Sequence, residues 1–384
     1  MRITRGLVAS VLLAAAVGCS QAPTATPAPA PVLPTAALTS TPPPTATPAP
    51  PPAATATPPV TPQPAAAAPL AVEGQALRAL VLVPGSGVRY GLLARGLALS
   101  EDGGRTWRRV TGLTLPAPLV SPHDYRTLYA GDIPSCYRDD AQPIFRRSTD
   151  GGASWQELAA GRGIRPVAVH PDRATMLYGI SCAGLNVSRD GGQTWQTTGP
   201  TQGWDITDIL PLTAGQLRFL AILTSEGGTS HLAWFDAEGR LAQNLTQGLT
   251  FWGRGVLAAA GSTLYLADSV GVWRSDDGAT WKQFREGLAD VALAADPLQE
   301  GVPEAAMQRG FGLFALAPDP ADGRRLALGT VRGLYVSEDR GEHWRPASVE
   351  ALAQRRIDQV AWDPVAPGTL YATTAEGVYA VRLP

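Results

Sequence analysis

Short apolar segments, each followed by a small polar turn, recur along the chain from about residue 71 onwards. Three kinds of segment follow one another in a fixed order. PVAVHPD, LFALAPDP and QVAWDP are of the first kind, TLYAGD, MLYGIS, TLYLADS and RLALGT of the second, and GLALS, GLNVS, GVWRS and GLYVS of the third. Runs rich in β-branched and aromatic residues between turn residues are typical of β-strands. The pattern therefore predicts a repeated unit made of β-strands.

A polar motif follows the third strand of most units. The copies are SEDGGRTW, STDGGASW, SRDGGQTW, SEDRGEHW and a copy one residue shorter, SDDGATW. Their tryptophans lie 48, 40, 86 and 63 residues apart, and a period in the forties is typical of propeller blades. The interval of 86 predicts two units, one without the motif, and the interval of 63 predicts a unit with an insertion. The serine, aspartate and tryptophan positions are Ser100, Asp102, Trp107, Ser148, Asp150, Trp155, Ser188, Asp190, Trp195, Ser275, Asp277, Trp281, Ser337, Asp339 and Trp344.

The segments add up to seven units of four strands each, about 45 residues per unit, which fits a single all-β propeller. The last unit contains only three strands. We therefore predict that the segment around Leu70 to Glu73 pairs with it and closes the ring, which would cover both sheet edges. The units are predicted to start near Leu77, Ala117, Arg165, Asp205, Gly253, Gly310 and Ile357.

The motif S-x-D-x-G-x-x-W resembles the Asp-box, or BNR, repeat of the sialidase-like propellers. That superfamily includes sortilin-type receptor propellers, xyloglucan-cleaving glycosidases and photosystem II assembly factors, so the resemblance implies a fold and leaves the activity open. The box suits a hairpin between the third and fourth strands. Gly103 and Gly104 can adopt positive φ, Ser100 and Asp102 can accept backbone N–H bonds, and Trp107 can pack between blades. We expect a structural role for it, without metal or phosphate.

The composition divides the chain into three regions, two of which lie before residue 71. Residues 1–19 contain two arginines, an apolar run from Leu7 to Val17 and the sequence AVGCS, which resembles the lipobox of bacterial lipoproteins and implies lipidation at Cys19. Residues 20–70 form a tether in which Gln21 to Leu70 holds 17 prolines and no charged residue. Such a composition predicts disorder and a reach on the order of 150 Å. Residues 71–384 form the propeller. The localisation predicted is the bacterial cell envelope, lipid-anchored and extracytoplasmic, with secretion as the alternative.

Export into an oxidising compartment makes a disulfide possible between Cys136 and Cys182, which fall in matching second-to-third-strand loops of adjacent units. The formal net charge is −2, and no basic cluster indicates a nucleic-acid partner. No histidine or cysteine spacing indicates a metal site, and no cofactor motif is found. We predict a monomer.

Candidate binding residues lie on the face opposite the boxes, where second-to-third-strand loops and connections between blades meet. Aromatic side chains beside charged ones suit carbohydrate stacking or a protein contact, and solvated loop charges with packing rings are the alternative. The candidates are Tyr137, Arg138, Asp139, Asp140, Arg165, Trp204, Asp205, Trp252 and Arg254.

No catalytic residue is assigned. Sialidases have an early Arg-Ile-Pro sequence that this chain lacks, and nothing resembles a nucleophile elbow. The prediction is a non-catalytic, membrane-anchored propeller that binds a protein or glycan through the box-free face. The alternative is a glycoside hydrolase of the sialidase-like superfamily, for which Asp140 and Asp205 are a possible pair of carboxylates.

Overall fold

Seven antiparallel sheets follow one another along the chain in the computed structural model, which describes residues 68–133, 136, 142–213, 215–244, 249–292 and 312–383. The described residues all belong to one unit, Thr61–Pro384. Before the first blade lies a small hairpin of β1 (Ala71–Val72) and β2 (Gln75–Ala76). None of the helices in these ranges is long and apolar enough to span a membrane. The two that occur are 3-10 turns, Ala159–Gly161 and Glu350–Leu352.

Each sheet is a blade whose strands run outward in chain order. The first strands of blades 2 to 6 each contact the first strand of the next blade, so they surround a central channel. Blades 1 to 3 consist of β3 (Ala79–Leu82), β4 (Arg89–Leu92), β5 (Leu97–Ser100), β6 (Arg108–Thr111); β7 (Leu119–Val120), β8 (Leu128–Ala130), β9 (Arg146–Ser148), β10 (Gln156–Glu157); and β11 (Arg165–His170), β12 (Arg173–Ser181), β13 (Gly184–Ser188), β14 (Gln196–Pro200).

Blades 4 to 6 continue the pattern, with a divided outer strand in blade 4. They consist of β15 (Asp205–Leu212), β16 (Arg218–Thr224), β17 (Thr229–Phe235), β18 (Leu241–Asn244), β19 (Thr250–Trp252); β20 (Val256–Ala260), β21 (Thr263–Ala267), β22 (Val272–Ser275), β23 (Lys282–Phe284); and β24 (Leu313–Pro318), β25 (Leu326–Thr330), β26 (Gly333–Ser337), β27 (Arg345–Pro346). The strands of blade 7 are β28 (Gln359–Trp362), β29 (Thr369–Thr374) and β30 (Gly377–Arg382). The predicted all-β, seven-bladed propeller is confirmed, and each first strand begins within three residues of its predicted start.

The N-terminal segment closes the ring against blade 7. The N–H of Leu70 donates to the carbonyl of Val378 at 2.7 Å, and the N–H of Val378 donates to the carbonyl of Leu77 at 3.0 Å. The predicted pairing is therefore present at Leu70, but its second contact comes from Leu77. Glu73 lies instead in the turn of the β1–β2 hairpin, at a positive φ of 50°.

The five boxes are hairpins between third and fourth strands, as predicted, and hydrogen bonds hold them together. The Ser148 hydroxyl accepts the N–H of Gly152 at 2.9 Å and donates to Asp150 at 2.8 Å. Asp150 in turn accepts the backbone N–H and the hydroxyl of Ser154. Hydrogen bonds from Ser154 lower the pKa of Asp150 to about 2. The hydrogen bonds of the box carboxylate are thus made within its own turn, which they stabilise.

Each box tryptophan packs in a cluster shared with the preceding blade, so the predicted packing between blades is confirmed. Blade 4 has no box, and its turn is Asp236–Arg240. Between blades 3 and 4 the ring of Tyr178 lies 4.6 Å from that of Phe219, and the Tyr178 hydroxyl donates to the carbonyl of Ala237 at 2.6 Å.

The box of blade 5 is one residue shorter than the other four, and its tryptophan differs from theirs in its hydrogen bonding. In the other four boxes the indole N–H donates to the carbonyl of the fifth residue, as Trp155 does to Gly152 at 2.9 Å. The indole nitrogen of Trp281 is buried without a hydrogen-bond partner among the described residues.

We expect Trp155→Phe to lower the free energy of unfolding by about 1–3 kcal/mol more than Trp281→Phe. The first change leaves a carbonyl without its donor, whereas the second removes a buried donor that has no acceptor. Urea denaturation of both variants, which change equally half-buried rings, measures the difference. Equal losses would show that the indole bond contributes nothing.

Candidate functional site

A cavity of about 690 Å³ opens where the channel meets the box-free face. Its described lining comes from the beginnings of the first strands of blades 4 to 7, from the connections that precede them and, at Ser269, from the β21–β22 loop, all of which lie opposite the box hairpins. We call this cavity the channel mouth. Its polar and aromatic side chains are Thr207, Asp208, Trp252, Arg254, Ser269, Phe314, Arg356, Asp358 and Gln359.

Two β-bulges place side chains in the channel mouth. In β15 the pairing with β16 skips Thr207, between Ile206 and Asp208. In β24 the pairing with β25 skips Phe314, between Leu313 and Ala315. A bulge adds one residue opposite a regular strand and redirects its side chain. Both skipped residues line the mouth.

The connection from blade 4 to blade 5 supplies Trp252 and Arg254. β19 pairs with the beginning of β17, so that Trp252 lies opposite Thr229. The next residue, Gly253, has a φ of 82°, which favours glycine, and its N–H donates to the carbonyl of Gly228 at 2.8 Å. The backbone therefore turns sharply between Trp252 and Arg254 and delivers both to the mouth.

The cationic side of the mouth comes from blades 5 and 7. The guanidinium of Arg356 lies 3.9 Å from the ring centre of Phe314, and its Nε donates to Asp358 at 2.6 Å. Because only Nε is engaged by Asp358, the two Nη groups remain available as donors. Arg254 is exposed and makes no hydrogen bond or ion pair with the part of the chain that the structure describes.

Asp208 is a half-buried carboxyl of the mouth. Its Oδ2 accepts the N–H of Leu257, the second residue of β20, at 2.7 Å. Burial raises the pKa of Asp208, while the N–H bonds of Leu257 and Ile209 and the charge of Arg165 oppose that rise. A carboxyl with a raised pKa inside a cavity is typical of functional sites.

Only some of the predicted binding residues lie at the channel mouth. Trp252 and Arg254 line the mouth, and Arg165, which opens β11, acts on Asp208 through its charge. Trp204 packs instead with its ring centre 4.2 Å from that of His231, and Asp205 opens β15 opposite Thr224. Neither residue lines the mouth. The four candidates Tyr137, Arg138, Asp139 and Asp140 lie outside the described residues.

Cys136 and Cys182 form a disulfide between blades 2 and 3, with Cα atoms 5.4 Å apart. Cys182 lies in the β12–β13 loop and Cys136 in the β8–β9 loop, so the bond lies on the box-free face. Within the described ranges no group of three or more histidine, cysteine, aspartate or glutamate residues is arranged to hold a metal ion.

Sequence reasoning missed most of the mouth, namely Thr207, Phe314, Arg356, Asp358 and Gln359. These residues lie at or just before the beginnings of first strands, a position that the repeat itself identifies. Aligning the seven strand starts would have singled out Arg356 and Asp358. The bulges that redirect Thr207 and Phe314 leave no comparable signal in the sequence.

Comparisons with known proteins agree with this architecture. The family model described as BNR/Asp-box repeat matches residues 187–197, which include the whole box of blade 3. The chain is a seven-bladed propeller with BNR repeats. A comparison with curated protein sequences finds no match.

Among solved structures, a GH74 xyloglucanase from Xanthomonas campestris matches at 18% identity with a TM-score of 0.59, covering 81% of this chain and 52% of that chain. This chain therefore spans about half the length of the xyloglucanase. YCF48 bound to a D1 peptide matches at 15% identity with a TM-score of 0.56, covering 81% of this chain and 94% of that chain. The extracellular domain of a hybrid two-component system from B. thetaiotaomicron matches at 12% identity with a TM-score of 0.57, covering 84% of this chain and 40% of that chain. At these identities the likeness establishes the fold alone.

Proposed function

We propose that this propeller is an exported binding module that takes a segment of a partner polypeptide in the channel mouth. The observation that carries the proposal is the mouth itself, an open cavity of about 690 Å³ in which Trp252 and Phe314 lie beside the free cationic group of Arg254. Aromatic and arginine side chains are the residue types most enriched at protein-binding hot spots. YCF48, which matches over nearly its whole length, is bound to a peptide in its structure.

The envelope location belongs to the same proposal. A disulfide between Cys136 and Cys182 fits an oxidising compartment, since such bonds are rare in the cytosol. The apolar run ending at Cys19 and the proline-rich segment after it would hold the propeller near a membrane by a lipid anchor. A glycan is the other partner that the mouth could accept through its aromatic rings.

Reversing one charge tests the proposal. We expect Arg254→Glu in the full chain to weaken partner retention from the native envelope about tenfold, equivalent to about 1.4 kcal/mol, because an attraction to acidic groups becomes a repulsion. Retention is measured by quantitative mass spectrometry of cross-linked complexes. The matched control is Arg240→Glu, an exposed arginine in the boxless turn of the opposite face. Equal retention by both variants would contradict binding at the mouth.

A glycoside hydrolase is the second candidate, favoured by the raised pKa of Asp208 and by the likeness in fold to the xyloglucanase. Glycosidases need two carboxyl groups, one of them an acid with a raised pKa. Asp358 is the other carboxylate of the described mouth and is paired with Arg356. Release of reducing sugar from xyloglucan, abolished by Asp208→Asn and by Asp358→Asn, would replace the binding proposal with this one.

A further inference from the structure

A chain of hydroxyl groups crosses blade 4 beneath the channel mouth. The hydroxyl of Thr207 lies 2.9 Å from that of Thr224, and the hydroxyl of Thr224 lies 2.8 Å from that of Ser230. Ser230, which is fully buried, lies 2.6 Å from the carbonyl oxygen of Gly253. The chain therefore joins Thr207, which lines the mouth, to the backbone that carries Trp252 and Arg254.

The last acceptor in this series of hydroxyl groups, the carbonyl of Gly253, fixes the direction in which each hydroxyl donates. A carbonyl oxygen only accepts, so Ser230 must donate its single proton to Gly253. Ser230 then accepts from Thr224, and Thr224, having used its own proton, accepts from Thr207. The proton of Thr207 is thus directed inward. Towards the mouth Thr207 can offer only lone pairs.

Asp208 adds a second acceptor beside Thr207. Its carboxylate accepts the backbone N–H of Leu257 and has no proton to give while it is ionised. Blades 5 and 7 supply the cations Arg254 and Arg356, which donate and cannot accept, and the Asp358 carboxylate on blade 7 is already engaged by Arg356. The described mouth therefore has an acceptor side on blade 4 and a donor side across from it.

We propose that Thr207 and Asp208 form an acceptor-only subsite for an ammonium group of the ligand, whose acidic group is held by Arg254 and Arg356. This inference rests on the proposed function, since it assumes that the mouth binds a ligand. An acceptor subsite opposite two arginines would favour peptides that carry a basic and an acidic side chain a short distance apart. A sphere of the cavity's volume is about 11 Å across, close to the length of three extended residues at about 3.3–3.6 Å each.

Blocked tripeptides supply probes that differ in one group. The first is acetyl-Lys-Phe-Glu-amide, and the second replaces lysine with norleucine, which keeps the aliphatic stem and removes the ammonium group. Dissociation constants are measured on the full chain by ligand-observed NMR. We expect the lysine peptide to bind at least tenfold more tightly, because the norleucine peptide leaves Thr207 and Asp208 without a donor.

Isosteric variants test whether Thr207 and Asp208 cause the preference for the lysine peptide over the norleucine peptide. Asp208→Asn introduces a donor while its side-chain oxygen can still accept from Leu257, and Thr207→Val removes the hydroxyl. Both are expected to reduce the preference for lysine to less than threefold. Thr224→Val removes the acceptor for Thr207, so Thr207 can turn its proton to the mouth, and the preference should fall in the same direction. Thr197→Val, an outer-strand change remote from the mouth, is the control and should leave the preference unchanged.

Equal binding of the two peptides, absence of binding by either at 10 mM, or a preference that persists in both Asp208→Asn and Thr207→Val would overturn the inference. These outcomes are separate from failure of the proposed function. Partner retention that depends on Arg254 can survive the loss of lysine discrimination, in which case only the acceptor-only subsite is wrong.

Discussion

Replacing Asp363 with alanine is expected to lower the free energy of unfolding by about 3–5 kcal/mol. The side chain of Asp363 is 1% exposed and pairs with Arg89, which is 6% exposed, so the change leaves a guanidinium group buried without its counter-charge. The pair joins blade 7 to blade 1 across a separation of 274 residues. Asp363 also accepts the hydroxyl of Tyr371 at 2.9 Å and two backbone N–H groups at 3.0 Å.

Blade 6 offers a matched control. Asp319 follows β24 as Asp363 follows β28, and each accepts backbone N–H groups of its own turn. The ion pair of Asp319 is longer, 3.9 Å to Arg325, and remains within one blade. We expect Asp319→Ala to cost clearly less in thermal or urea unfolding. An equal loss would mean that Asp363 acts through its turn rather than through ring closure.

A double change separates the ion pair from the packing around it. Arg89→Met combined with Asp363→Leu replaces both charges with apolar groups, and such exchanges of buried pairs are often close to neutral. We therefore expect the double variant to unfold at a higher urea concentration than Asp363→Ala. If it does not, the unpaired charge is not the cause of the loss.

Loss of the disulfide is the second large effect that we expect. Cys136 and Cys182 are 46 residues apart, and the chain-entropy model gives about 4 kcal/mol for a closed loop of that length. Reductant should therefore lower the urea midpoint of the wild-type protein. Cys182→Ser should start from the lower midpoint and be insensitive to reductant. An unchanged midpoint in reductant, or two reactive thiols in the native protein, would contradict the bond.

The sequence predicted the features that repeat. Each box combines glycines, a carboxylate and a tryptophan at fixed spacing, and these are local requirements of one hairpin, so Ser148 to Trp155 can be interpreted without the fold. The tryptophan spacings gave the number of blades, and the missing fourth strand of blade 7 pointed to the contact that Leu70 makes. Such inferences succeed because each unit has the same strands and packs against its neighbours through the same positions.

The features that occur once could not be predicted in this way. Arg89 and Asp363 meet only because the ring closes, and neither residue type suggests a buried pair at such a separation. Thr207 and Phe314 enter the mouth through bulges that depend on pairing with the next strand. An aromatic residue beside carboxylates in a loop predicts a binding role for Trp204, yet the Trp204 ring packs on buried His231. Position in the blade decides these outcomes more than residue type does.

Site-specific photo-cross-linking from Trp252 tests the central claim most directly. A benzophenone amino acid is placed at position 252 of the full chain and, in a second variant, at Gln193 in the exposed box turn of the opposite face. We expect a cross-linked polypeptide from position 252 that is lost in the Arg254→Glu background and absent from position 193. Cross-links from position 193 alone, or from both positions equally, would contradict binding at the channel mouth.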